Sequence, residues 1–110
     1  MTLLNNIKEG KCSVDELEEL LDERNPMILY HVMTAIGKRE IYNERILKKL
    51  YELSYKRDMK DKLLGYYKVG DLAIVTLQRI GENIDELPPF QGLNDFDKKM
   101  LVQLAKEIDW

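Results

Sequence analysis

Three features of the sequence predict an all-α fold. Apolar residues recur at helical spacing from end to end, helix start and stop signals punctuate the chain, and no stretch shows the β-branched alternation of a strand. The 110 residues, 45% hydrophobic and 34% charged, suit one domain with one core, and six glycines and three prolines are too few for an all-β chain of many tight turns. The expectation is a single helical domain over residues 1–110 with about six helices.

The first segment, 2–9, places Leu3, Leu4 and Ile7 on one side and stops at Gly10; it is too short to hold by propensity and must dock. Ser13-Val14-Asp15-Glu16 has the form of a capping box and opens a helix over about 14–23, with Leu17, Leu20 and Leu21 as its apolar stripe and an acidic opposite face. Asn25-Pro26 starts the next helix, which is apolar nearly all round from Met27 to Ile36 and should therefore be central; Gly37 reads as its left-handed stop. Asn43 caps a helix over 44–57 that buries Ile46, Leu47, Leu50 and Leu53 and turns Lys48, Lys49, Lys56 and Arg57 outward. Of Tyr51 and Tyr55, four apart, at least one should be core. Residues 58–69 read as a short helix and a bend, followed by a helix from about Gly70 to Ile80 that stops at Gly81. Residues 82–93, with Pro88-Pro89, form the one expected loop, and Asn94 with Asp97 caps a last helix that uses Phe96, Met100, Leu101, Leu104 and Ile108.

Two of these helices echo each other. Aligning Gly37 with Gly81 pairs Ile36 with Ile80, Met33 with Leu77 and Leu29 with Ala73, an offset of 44 residues within the roughly 40–47 residue period of HEAT and armadillo arrays. Asp71-Leu72-Ala73-Ile74-Val75-Thr76-Leu77-Gln78-Arg79-Ile80-Gly81 resembles the second helix of a HEAT-like repeat, although the usual Val-Arg at the start of that helix is replaced by Met27-Ile28 and Gly70-Asp71. The resemblance implies a short right-handed α-solenoid: two helix pairs over 13–81, capped by 1–10 and 94–110, with an irregular helical bundle as the alternative.

Several chemistries lack their residues. A single cysteine, Cys12, allows neither an intramolecular disulfide nor a cysteine-rich metal site, and no cofactor is implied, since no phosphate-binding glycine motif occurs. The first residues have neither the charged nor the apolar region of a signal peptide, and no apolar run approaches the roughly 20 residues of a membrane span, so a cytoplasmic protein without a membrane partner is expected. His31 is the only histidine; among Tyr30, Val32 and Met33 it reads as a packed or partly exposed side chain before a catalytic one. Cys12 precedes a helix start that could depress a thiol pKa, yet with no second cysteine it reads as an unremarkable surface or half-buried thiol. The carboxylates of 15–23 cluster without the Glu-x-x-His partner of helical metal sites and read as a solvated or protein-docking face.

Charge is segregated. Residues 1–25 carry 3 basic and 7 acidic side chains, residues 38–62 carry 9 and 5, and residues 63–110 carry 5 and 8, so the net −3 hides a basic segment between two acidic ones. A pI near 5.2 disfavours nucleic acid, but Arg45, Lys48, Lys49, Lys56 and Arg57 of the helix at 44–57 keep it as an alternative.

The function these features favour is non-enzymatic protein binding. In its most concrete form it is a bacterial immunity protein or similar antagonist that neutralises a basic toxin such as a nuclease; that form rests on size and charge alone. A small-ligand or enzymatic domain using His31 is the other alternative. Candidate partner-binding residues are Glu16, Glu19 and Glu23 on the acidic helix and Tyr66 and Tyr67 in the glycine-bent insert. Tyr30, Thr34, Lys38, Asp71, Gln78 and Arg79 join them where the second helices should line an inner surface.

Overall fold

Polar side chains set where the helices begin. In the computed structural model, which describes residues 3–58, 60, 62–64, 67–108 and 110, Ser13 and Glu16 complete the capping box of α2 (Val14–Leu20): the Glu16 N–H donates to Ser13 Oγ at 3.1 Å and the Ser13 N–H to Glu16 Oε1 at 3.2 Å. Asn25, Asn43 and Asn94 cap α3 (Pro26–Lys38), α4 (Glu44–Leu53) and, further along, a helix over Asp95–Glu107, as expected. Each such cap stabilises by about 1 kcal/mol. The first segment forms α1 (Leu3–Lys8), and α5 spans Val69–Arg79. The protein is mostly helical.

Helix ends are set by backbone geometry, and here one expectation is corrected. Gly37 does not stop α3. The helix runs on to Lys38, and the left-handed residue is Glu40 (φ 51°); the Glu40 N–H donates to Gly37 O and the Ile41 N–H to Ile36 O, which is a Schellman motif. Gly37 is instead a packing residue, because a methyl there would overlap three carbons of the Trp110 ring. Gly10 (φ 72°) and Gly81 (φ 104°) do occupy the left-handed position after α1 and α5, each with the same pair of hydrogen bonds. A side chain in that conformation costs roughly 1–2 kcal/mol. Glu40→Gly is therefore expected to raise the midpoint of thermal unfolding, by an increment worth about 0.5–1 kcal/mol after the added chain entropy of glycine. Differential scanning calorimetry checks it.

Four further segments differ from expectation. The helices at 14–23 and 44–57 end earlier, at Leu20 and Leu53. Where a short helix and a bend were expected, an antiparallel hairpin pairs β1 (Lys62–Leu64) with β2 (Tyr67–Lys68) in an irregular register. Tyr67 suits paired extended chain, and a hairpin this small is supported where β1 meets α3 and β2 meets α5. The expected loop at 82–93 contains a 3₁₀ turn at Ile84–Glu86 and a short α6 (Pro88–Gln91); its two prolines occupy the first helical positions, where no N–H is needed. The last helix, Asp95–Glu107, is α7, so seven α-helices occur among the described residues.

Packing follows the apolar faces. α3 and α5 share the largest contact, α1 lies against α3, α7 against α5, and α2 and α4 touch one another and back α3 and α5 respectively. α5 is the most enclosed element: every residue from Val69 to Leu77 is buried. Its start is held tightly. The Gly70 N–H donates to Lys56 O at 2.8 Å, and Asp71 accepts from the Lys68 N–H at 2.9 Å and from Arg57 Nε at 3.0 Å.

Candidate functional site

Each candidate residue can be located from its element. On α3, positions 30, 34 and 38 recur at helical spacing, and the fold brings Tyr30, Thr34 and Lys38 together on the wall of one groove. The groove runs between α1 and α3, and its volume is about 630 Å³. Lys8 and His31 line it as well, and Arg39 closes one end, donating from Nη1 to Cys12 O at 2.7 Å. The Tyr30 and His31 rings meet edge to face at 5.1 Å, and the Thr34 hydroxyl donates to Tyr30 O at 2.7 Å. Partial burial, with the Lys8 charge second, pulls the His31 pKa below its ordinary value, so the ring is neutral at pH 7.

On α2, Glu16 is committed to the capping box, while Asp15 and Glu19 are exposed and have no partner among the described residues. Glu23 is exposed too, but because α2 ends at Leu20 it stands in the following turn. Asp22 pairs with Lys49 of α4 at 2.8 Å, and the same ammonium donates to Glu18 O at 2.9 Å, so the acidic and basic helices are stitched together along one edge.

The α5 candidates do not form an open inner surface. Asp71 was expected there and is instead buried and ion-paired, because the 54–57 turn folds over the start of α5. Arg79 is exposed in part but works inside the fold: its Nε donates to Gly37 O at 3.3 Å and its guanidinium lies 5.8 Å from the Trp110 ring centroid. Gln78 is exposed. Tyr67 is half-buried, and burial first, then the charge of Glu107 of α7 and a hydrogen bond to it, raise its pKa; Tyr66 lies outside the described residues. Cys12 is buried, 4% exposed, and burial first, then Glu16, pushes its thiol pKa up, so the helix start does not activate it.

One cluster escaped sequence reasoning. The Glu82 carboxylate, just past Gly81, accepts from the hydroxyls of both Tyr42 and Tyr51. Nothing in the spacing of residues 42, 51 and 82 signals it; the glycine turn after α5 brings the carboxylate back onto α4. The hydrogen bond to Glu82, with burial second, raises the Tyr51 pKa to about 12. Since the folded value exceeds the ordinary 10.0, this contribution to stability is complete below pH 10 and is lost as pH rises through about 12. Phenolate absorbance should show a late-titrating component that Tyr51→Phe removes and Glu82→Gln moves toward pH 10.

No group of three or more histidine, cysteine, aspartate or glutamate side chains is placed to hold a metal ion among the described residues, and no helix among them is long and apolar enough to cross a membrane. Comparison with known protein families, with curated proteins and with solved structures gives no match.

Proposed function

We propose that the chain is a non-enzymatic protein-binding module, in its most concrete form an antagonist that neutralises a basic protein such as a toxin nuclease. The observation that carries this reading is the acidic edge formed by Asp15, Glu19 and Glu23. These three carboxylates, two on α2 and Glu23 in the turn that follows it, are exposed and have no partner among the described residues, and α2 turns only Leu17 fully inward. Uncompensated charge of one sign on a short, capped helix steers a partner of opposite sign into register and speeds its association. The pattern of helix neighbours supports a HEAT-like reading of the framework. α2–α3 and α4–α5 act as two pairs, stacked through α3 on α5 and α2 on α4, with α1 and α7 as end caps.

The basic helix supports this reading over nucleic acid. Of the five cations over 44–57, Lys49 is taken up by Asp22, Arg57 by the buried Asp71, and Lys56 lies past the end of α4 at Leu53, which leaves no continuous helical stripe for a phosphate backbone. Co-purification from the native source at low salt, followed by native mass spectrometry, tests the proposal. A stoichiometric complex with a protein of net positive charge is expected, and recovery of the chain alone overturns it.

A further inference from the structure

The groove between α1 and α3 differs in character from the acidic edge of α2. Its wall carries Lys8, Lys38 and Arg39 against a single carboxylate, Glu9, and that carboxylate is held 2.9 Å from Lys11. Lys8 and Lys38 have no partner among the described residues, while Arg39 has one hydrogen bond, to Cys12 O, and N–H groups to spare. Buried Ile7 and Ala35 supply an apolar floor. A chain with net charge −3 thus concentrates positive charge at one concavity, and its only histidine stands beside it. A volume of about 630 Å³ is that of a small-molecule site.

We propose that this groove binds a small anion with a compact apolar body, a phosphate ester or a carboxylate. Lys8 and Lys38 supply the charge, Arg39 a charge-assisted hydrogen bond, and the Ile7–Ala35 floor the apolar contact. This proposal is independent of partner binding through α2. A cationic groove with a greasy floor favours an anion that brings both elements, so phenyl phosphate should bind more tightly than inorganic phosphate.

The single histidine provides the readout, because its ring Cε1–H gives one resonance whose position reports charge placed nearby. Titrations at fixed pH and constant ionic strength use phenyl phosphate, benzoate and inorganic phosphate, with sodium chloride as control. A saturable shift of the His31 resonance with phenyl phosphate or with benzoate is expected, and the tighter of the two identifies the head group. The Lys8→Gln/Lys38→Gln double variant, altered only at surface lysines and checked for unchanged circular dichroism, should weaken that binding at least fivefold. Shifts that match sodium chloride, that fail to saturate, or that persist undiminished in the double variant overturn the proposal.

Discussion

Gly70→Ala is expected to lower the stability of the fold by about 2 kcal/mol, although alanine is the better helix former. A β-carbon at this position would stand 2.7 Å from Ser54 O and 2.8 Å from Lys56 O. Both are backbone atoms of the turn that leads out of α4, and that turn is pinned by the Ser54 hydroxyl donating to Tyr51 O and by the Gly70 N–H donating to Lys56 O. Neither carbonyl can rotate away as a side-chain tip could. Overpacking of this kind costs about 1–3 kcal/mol, here at the upper end, against about 0.5–1 kcal/mol recovered from helix propensity. Urea unfolding of the two proteins measures the difference, and a variant as stable as the parent would show that α5 does not approach the turn this closely.

Asp71→Ala is expected to cost about 2–3 kcal/mol. The Asp71 side chain is 8% exposed and serves two donors, Arg57 Nε and the Lys68 N–H. Its removal strands a guanidinium that is 23% exposed and the Lys68 amide at the start of α5. Breaking a fully buried pair costs about 3–5 kcal/mol, and the part of Arg57 still in water reduces that figure. The Arg57→Met/Asp71→Leu pair should recover the part of the loss that comes from the stranded guanidinium, since two apolar groups need no partner, while the Lys68 N–H stays without its acceptor. A double variant no more stable than Asp71→Ala contradicts this. Both substitutions act where the hairpin, the α4 turn and the start of α5 converge, so each should also loosen amide-exchange protection in β2.

The contrast between these sites and the legible ones is physical. Helix starts could be read because a cap is local: Ser13 with Glu16, and Asn25, Asn43 and Asn94, each satisfy amides two or three residues away. Glycine was ambiguous because it does two different things. At Gly81 it supplies a positive φ, and at Gly37 it makes room for a ring 73 positions on in the sequence. The repeated Ile-Gly therefore aligned two glycines with unlike roles. The structural counterpart of Gly81 is Glu40, which shortens the offset from 44 to 41 residues and sets buried Val32, Met33 and Ile36 opposite buried Ala73, Ile74 and Leu77. The hairpin was missed because its stability comes from α3 and α5 rather than from its own few residues.

The candidate site divides along the same line. Tyr30, Thr34 and Lys38 meet on one wall because helical spacing alone puts them there, and the exposed acidic residues could be expected from composition and capping. Asp71 could not be assigned correctly from sequence, because its partner Arg57 lies across a turn and a hairpin. The tyrosine–Glu82 cluster likewise depends on a tertiary approach of the α5 end to α4.

Charge reversal on α2 bears most directly on protein binding. Asp15→Lys/Glu19→Lys/Glu23→Lys leaves Glu16 in its capping box and Asp22 on Lys49, so the helix and its docking are retained. Side-by-side affinity capture from the native source should recover a stoichiometric basic protein on the parent chain, with association at least tenfold faster than on the variant at low salt and a smaller difference at high salt. Equal capture and equal association rates on the two chains, or no protein on either, would contradict the assignment of α2 as the binding edge.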